Sequence, residues 1–139
     1  MLSDYRDGHF SREQLLQWLD SEQTRVSAQI SRGAILKLRH GTDYAAMTAL
    51  AEILPVCTVC GAMCRERTFT SWSDYQQCVT RVDAAEAAGE IVRMKPLAWT
   101  YNVGSEAGAD AYYRCSTCGA IWGLVRPERE ENGSWRRLA

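Results

Sequence analysis

The segment Cys57-Thr58-Val59-Cys60 and its later counterpart Cys115-Ser116-Thr117-Cys118, each followed by Gly-Ala, constrain this chain more than any other feature. Two thiols three positions apart can turn toward one point, and a following glycine lets the backbone fold back so that its amides face the sulfurs. Four thiolates gathered in this way make a closed tetrahedral site, the form that structural zinc takes. One Cys-x-x-Cys alone would fit a redox dithiol equally well. Two copies in one frame predict a single metal centre of Cys57, Cys60, Cys115 and Cys118, with zinc as the leading ion. Redox dithiols, an iron–sulfur cluster and a rubredoxin-like iron site are the competing readings.

In compact zinc fingers the two pairs stand about fifteen to twenty residues apart. Here the whole of segment 61–114 separates them. The metal is therefore expected to tie sequence-distant elements together, clamping a C-terminal sheet onto the end of a helical part. Two cysteines are left over. Cys64 follows Cys60 at a Cys-x-x-x-Cys spacing that would let it replace a ligand, and Cys78 lies in a predicted helix. With no histidine near either to activate a thiolate, both read as small buried hydrophobes. His9 and His40 have no metal-ligand spacing to any cysteine.

At 139 residues the chain is expected to be a single domain over 1–139, with a helical part at 1–56 and a zinc-ribbon part at 57–139 containing an inserted helix. Its 16 basic and 17 acidic residues balance to a formal charge of −1. That balance argues against a protein whose main task is neutralising phosphates. The start, Met1 to Asp7, is charged where a signal peptide needs an apolar run, and no apolar run is long enough to cross a membrane. A cytoplasmic protein with its thiols on metal, not in a disulfide framework, is the expectation.

Along the chain, the first ten residues read as a loose arm. Ser11 to Gln14 is a capping box opening a helix with Leu15, Leu16 and Leu19 at helical spacing. Helical character continues after a break near Ser21 through Val26, Ile30, Ala34 and Leu38, and Gly41 stops it. Thr42 caps the next helix, whose predicted inner face is Tyr44, Met47, Leu50, Ala51 and Leu54, and Pro55 ends it. After the first knuckle come a connector at 65–70 and a helix opened by a capping box at Ser73–Gln76, with Tyr75, Val79 and Val82 inward. That helix ends at Gly89. Strands follow at 91–94 and 99–103, with a turn region at 104–110. A hairpin then carries the second knuckle at its tip, and a final edge strand lies at 134–138. The fold class predicted is α+β: N-terminal helices packed on a small antiparallel zinc-ribbon sheet.

No His-Glu-x-x-His, Gly-x-Ser-x-Gly, phosphate-binding glycine loop or dinucleotide fingerprint occurs, and the deaminase His-x-Glu is missing. Four thiolates leave a metal no open position for catalysis, so a non-enzymatic protein is expected. Arg32, Lys37, Arg39 and His40 form a basic cluster that reads either as a nucleic-acid contact or as a solvated helix end. Aromatic residues crowd the C-terminal half, and Trp135 with Arg136 are the candidate partner-binding anchors, against ordinary edge-strand packing.

The segment Tyr113 to Leu124, with Pro127, Glu128, Trp135 and Arg136 after it, resembles the zinc-ribbon tail of small bacterial proteins. Some of these resemble immunity proteins that neutralise a cognate toxin encoded beside them. The resemblance covers about the last quarter of the chain. It implies a cytosolic, non-enzymatic toxin inhibitor acting through a protein–protein interaction with that toxin. The alternative is a zinc-ribbon nucleic-acid-binding or transcription-associated protein.

Overall fold

The computed structural model describes residues 1–96, 99 and 109–139, and the fold is α+β. Seven helices and five strands occur among the described residues. The chain divides into two compact units, Met1–Pro55 with Ala139 and Val56–Leu138, and the boundary in sequence follows the proline expected to end a helix.

The first unit is helical: α1 (Leu2–Arg6), α2 (Arg12–Ser21), α3 (Gln23–Gln29), α4 (Arg32–His40) and α5 (Asp43–Ile53). The predicted loose arm is instead α1. At five residues it is too short to persist on propensity, and burial of Leu2 and Tyr5 holds it. The first capping box forms as expected: the Gln14 amide donates to Ser11 Oγ at 3.1 Å, and the Ser11 amide to Gln14 Oε1 at 2.8 Å. The stripe Val26, Ala34, Leu38 is buried, but the helix breaks at Ile30 because Ser31 caps a new one through the Ala34 amide. Thr42 caps α5 likewise. On the predicted inner face of α5, Met47 and Leu50 are buried as expected and Ala46 and Ala49 join them, while Tyr44, Ala51 and Leu54 are half-buried. Arg12 donates to the Gly41 carbonyl at 2.8 Å and pairs with Asp43 at 3.3 Å, fastening α2 to the α4–α5 corner. Burial raises the Tyr5 hydroxyl above its usual range while Arg12 partly offsets this.

The second unit opens with α6 (Thr58–Met63), then β1 (Arg67–Thr68), α7 (Trp72–Ala87), β2 (Ile91–Met94), β3 (Ala111–Cys115), β4 (Ile121–Val125) and β5 (Ser134–Arg137). One antiparallel sheet runs β1-β5-β4-β3-β2. The strand expected at 99–103 and the turn at 104–108 lie outside the described residues, Trp99 apart. Two predictions are corrected. The connector at 65–70 contains β1, and β5 therefore lies inside the sheet, between β4 and β1. Helix α7 begins at Trp72 with Ser71 as N-cap, two residues before the predicted box. Asp74 is drawn there by Arg67, whose Nη2 and Nε lie 2.7 and 3.1 Å from its Oδ1, and its other oxygen accepts from the Thr70 amide. These interactions hold the Asp74 carboxyl below its ordinary range, Arg67 contributing most. The chain leaves α7 through Gly89 in the left-handed region, as a helix-ending glycine should.

One buried cluster joins α6, α7 and the sheet through Cys60, Cys64, Phe69, Cys78, Val82, Ile91, Tyr113, Cys115, Trp122 and Trp135. It places the second cysteine pair, at the β3–β4 turn, beside the first.

Candidate metal centre

The two Cys-x-x-Cys pairs reach the centre by different local structures. Cys57 is the N-cap of α6 and Cys60 sits in its first turn, so helical geometry turns both sulfurs to one side. Gly61 lies within that helix and makes no turn. In the second pair the glycine acts as expected. Gly119 adopts φ 77°, its amide donates to the Cys115 carbonyl at 3.0 Å, and the Cys115 amide donates to Ala120 at 2.9 Å, closing the hairpin tip. Identical hexapeptide frames thus fold as a helix start and as a knuckle.

All four sulfurs lie within 4.8 Å of one another. Cys57 and Cys115 are 3.5 Å apart, Cys60 and Cys118 3.6 Å, and Cys57 and Cys60 3.8 Å. A zinc–sulfur bond of about 2.3 Å implies a tetrahedron with edges near ~3.8 Å, so the donor set fits a metal of that size. Cys60 and Cys115 are buried and Cys57 and Cys118 half-buried. The Cys57 thiol is lowered to about 7, chiefly by the backbone amide of Cys60, while burial pushes Cys60 well above its usual value. A bound cation removes this conflict, since coordinated thiols are deprotonated outright. Four protein ligands complete a tetrahedron and leave no position for water or substrate.

Cys64 takes no part. It is bonded to Cys78, with Cα atoms 5.8 Å apart, and both residues are buried. The two are buried, as expected, but are partners to each other; a spacing of fourteen residues gives no local cue to such a pair. Beside them stands a residue that sequence reasoning passed over: Arg67 Nη1 lies 3.3 Å from Cys64 Sγ.

The proposed anchors separate. Trp135 is fully buried, stacked on Trp122 with ring centroids 5.3 Å apart and planes 7° apart, so it offers a partner nothing. An inner strand, not an edge, carries it. Arg136 is exposed and donates to Thr68 Oγ1 at 3.1 Å. The exposed tryptophan is Trp72, which Arg126 covers at 5.3 Å from the ring centroid. These two line a groove of about 500 Å³ with Tyr75, Gln76, Val79 and Thr80. The i, i+3, i+4, i+7 spacing of 72, 75, 76 and 79 was the available signal. In the basic cluster, Lys37 pairs with Glu52 at 2.8 Å and Arg39 with Asp20 at 2.7 Å. Among the described residues no helix is long and apolar enough to cross a membrane.

No family model, curated protein or solved structure matches this chain.

Proposed function

We propose that this chain is a non-enzymatic protein-binding module held together by one structural zinc ion on Cys57, Cys60, Cys115 and Cys118, and that it acts as an immunity-type inhibitor of a bacterial toxin in the cytoplasm. The observation that carries the metal assignment is the four-sulfur cluster, with all sulfurs within 4.8 Å of one another and three of the pairs at 3.5, 3.6 and 3.8 Å. The ion's part is to cross-link α6 to the β3–β4 turn. A site closed on four sides supports a structural role over a catalytic one.

Two further features support protein recognition. The exposed Trp72–Arg126 pair has the composition of an interface anchor. The resemblance of segment 113–124 to the zinc-ribbon tail of small bacterial proteins, some of which resemble immunity proteins, supports a toxin as the class of partner. Against the nucleic-acid alternative stand the formal charge of −1 and the engagement of Lys37 and Arg39 by acidic residues.

Elemental analysis of purified protein is expected to give one zinc per chain. Co-expression with the product of the adjacent gene is expected to recover a stoichiometric complex. A folded protein that carries no zinc would overturn the metal assignment, and survival of a deletion strain exposed to that toxin would overturn the immunity reading.

A further inference from the structure

Helix α6 has six residues, no side-chain cap hydrogen bond at its N-terminus, and Cys60 as its one buried residue. Such a helix does not persist by itself. Its two ends are fastened by different chemistry. Cys57 and Cys60 belong to the four-sulfur centre, while Cys64, its C-cap, is bonded to Cys78 near the middle of the sixteen-residue α7. The covalent bond and the metal cross-link therefore constrain the same short segment.

We propose that the Cys64–Cys78 bond sets the metal affinity of the four-cysteine centre, so that reducing this bond weakens metal retention. The proposal rests on the metal assignment above. With the bond intact, α6 is held against α7 and presents two ligands toward the β3–β4 turn. With the bond cut, the segment between Cys60 and β1 is freed, and the ligand-presenting arrangement becomes one of several. Apparent affinity then falls by the fraction of time that arrangement is populated. Closure of a loop of this length corresponds to an upper bound of roughly a hundredfold, and about tenfold is expected when part of the order survives.

The chemistry balances with a dithiol reductant. A reductant thiolate attacks the Cys78 sulfur, the S–S bond breaks, and its electron pair leaves on Cys64 as a thiolate. The second reductant thiol then attacks the mixed disulfide and releases Cys78. The products are two protein thiols and the oxidised reductant, with two electrons and two protons transferred. The Arg67 guanidinium, 3.3 Å from Cys64 Sγ and fixed by Asp74, stands where that leaving thiolate forms. Since both sulfurs are buried, exchange passes through a local opening of this segment.

Coupling is reciprocal, so the metal must protect the bond by the factor with which the bond strengthens the metal site. The test measures both directions. Zinc affinity is read by competition with a chromophoric chelator for the wild-type protein and for Cys64→Ala/Cys78→Ala, which retains all four ligands. The expected result is one zinc per chain in both at saturation and about tenfold weaker binding in the variant. Equal affinity in a folded variant overturns the proposal; no zinc in the wild type overturns the metal assignment instead. If the variant fails to fold, the wild type is titrated in glutathione redox buffers with and without zinc, with Cys64 and Cys78 followed by alkylation and mass spectrometry. Zinc is then expected to make the midpoint about 30 mV more negative, the equivalent of tenfold, and an unchanged midpoint overturns the coupling.

Discussion

Trp135 and Arg136 are neighbours in sequence with opposite fates, because successive residues of a strand face opposite sides of the sheet. The Trp135 indole stacks on Trp122 and approaches Tyr113 at 5.9 Å, and neither tryptophan N–H finds an acceptor among the described residues. The value of the pair is thus in area and stacking. Trp135→Ala is expected to cost about 3–5 kcal/mol in chemical denaturation, while Arg136→Ala changes the unfolding free energy by less than about 0.5 kcal/mol. At the metal centre, Cys115→Ser is expected to abolish stoichiometric zinc and unfold much of the sheet unit, read by metal analysis and near-ultraviolet circular dichroism. Protons compete with the metal for the thiolates. Cys57 gives up its proton at about 7 and the buried Cys60 thiol higher, so chelator competition should show zinc affinity weakening as pH falls from about 8 to about 6.

Helix α7 shows how one element serves two surfaces. Cys78, Val82 and Ala85 face the core, while Trp72, Gln76 and Thr80 face outward beside Arg126. If that outer stripe is the partner surface, Trp72→Ala is expected to weaken partner binding by about 1–3 kcal/mol with the melting temperature unchanged. Calorimetric titration against the co-purified partner checks it. The helix start carries a pH signature of its own. Asp74 is held below its unfolded value by Arg67, so its stabilisation is present above that value and is lost as pH falls through the lowered one. Asp74→Asn is expected to flatten the stability curve below about pH 4, measured by denaturant titration across that range.

For the molecule as a whole, the centre lies wholly within the unit Val56–Leu138, and the described helices of Met1–Pro55 supply no ligand to it. Chelation is therefore expected to disorder the sheet unit first, with the amide-exchange protection of peptides from the helices of the first unit surviving it. A charge of −1, with Lys37 and Arg39 neutralised locally, predicts no duplex or single-stranded DNA binding tighter than about 10 μM at physiological salt by fluorescence anisotropy.

Local chemistry was legible without a structure wherever the partners are a few residues apart. The Ser11–Gln14 box, the Thr42 cap, the Gly89 stop and the Cys-x-x-Cys spacing are decided within one turn of chain, and each stands where the sequence predicts it. Equal short motifs, by contrast, took unequal shapes: the first Cys-x-x-Cys-Gly-Ala starts a helix and the second makes a turn, since the flanking strands β3 and β4 exist only around the second. Helix α1 depends on burial that propensity does not foresee. Whether β5 is an edge or an interior strand depends on its pairing with Arg67–Thr68, more than sixty positions away. The Cys64–Cys78 bond and the burial of Trp135 have the same origin. Long-range contacts select among local options of nearly equal free energy, and only the tertiary structure contains them.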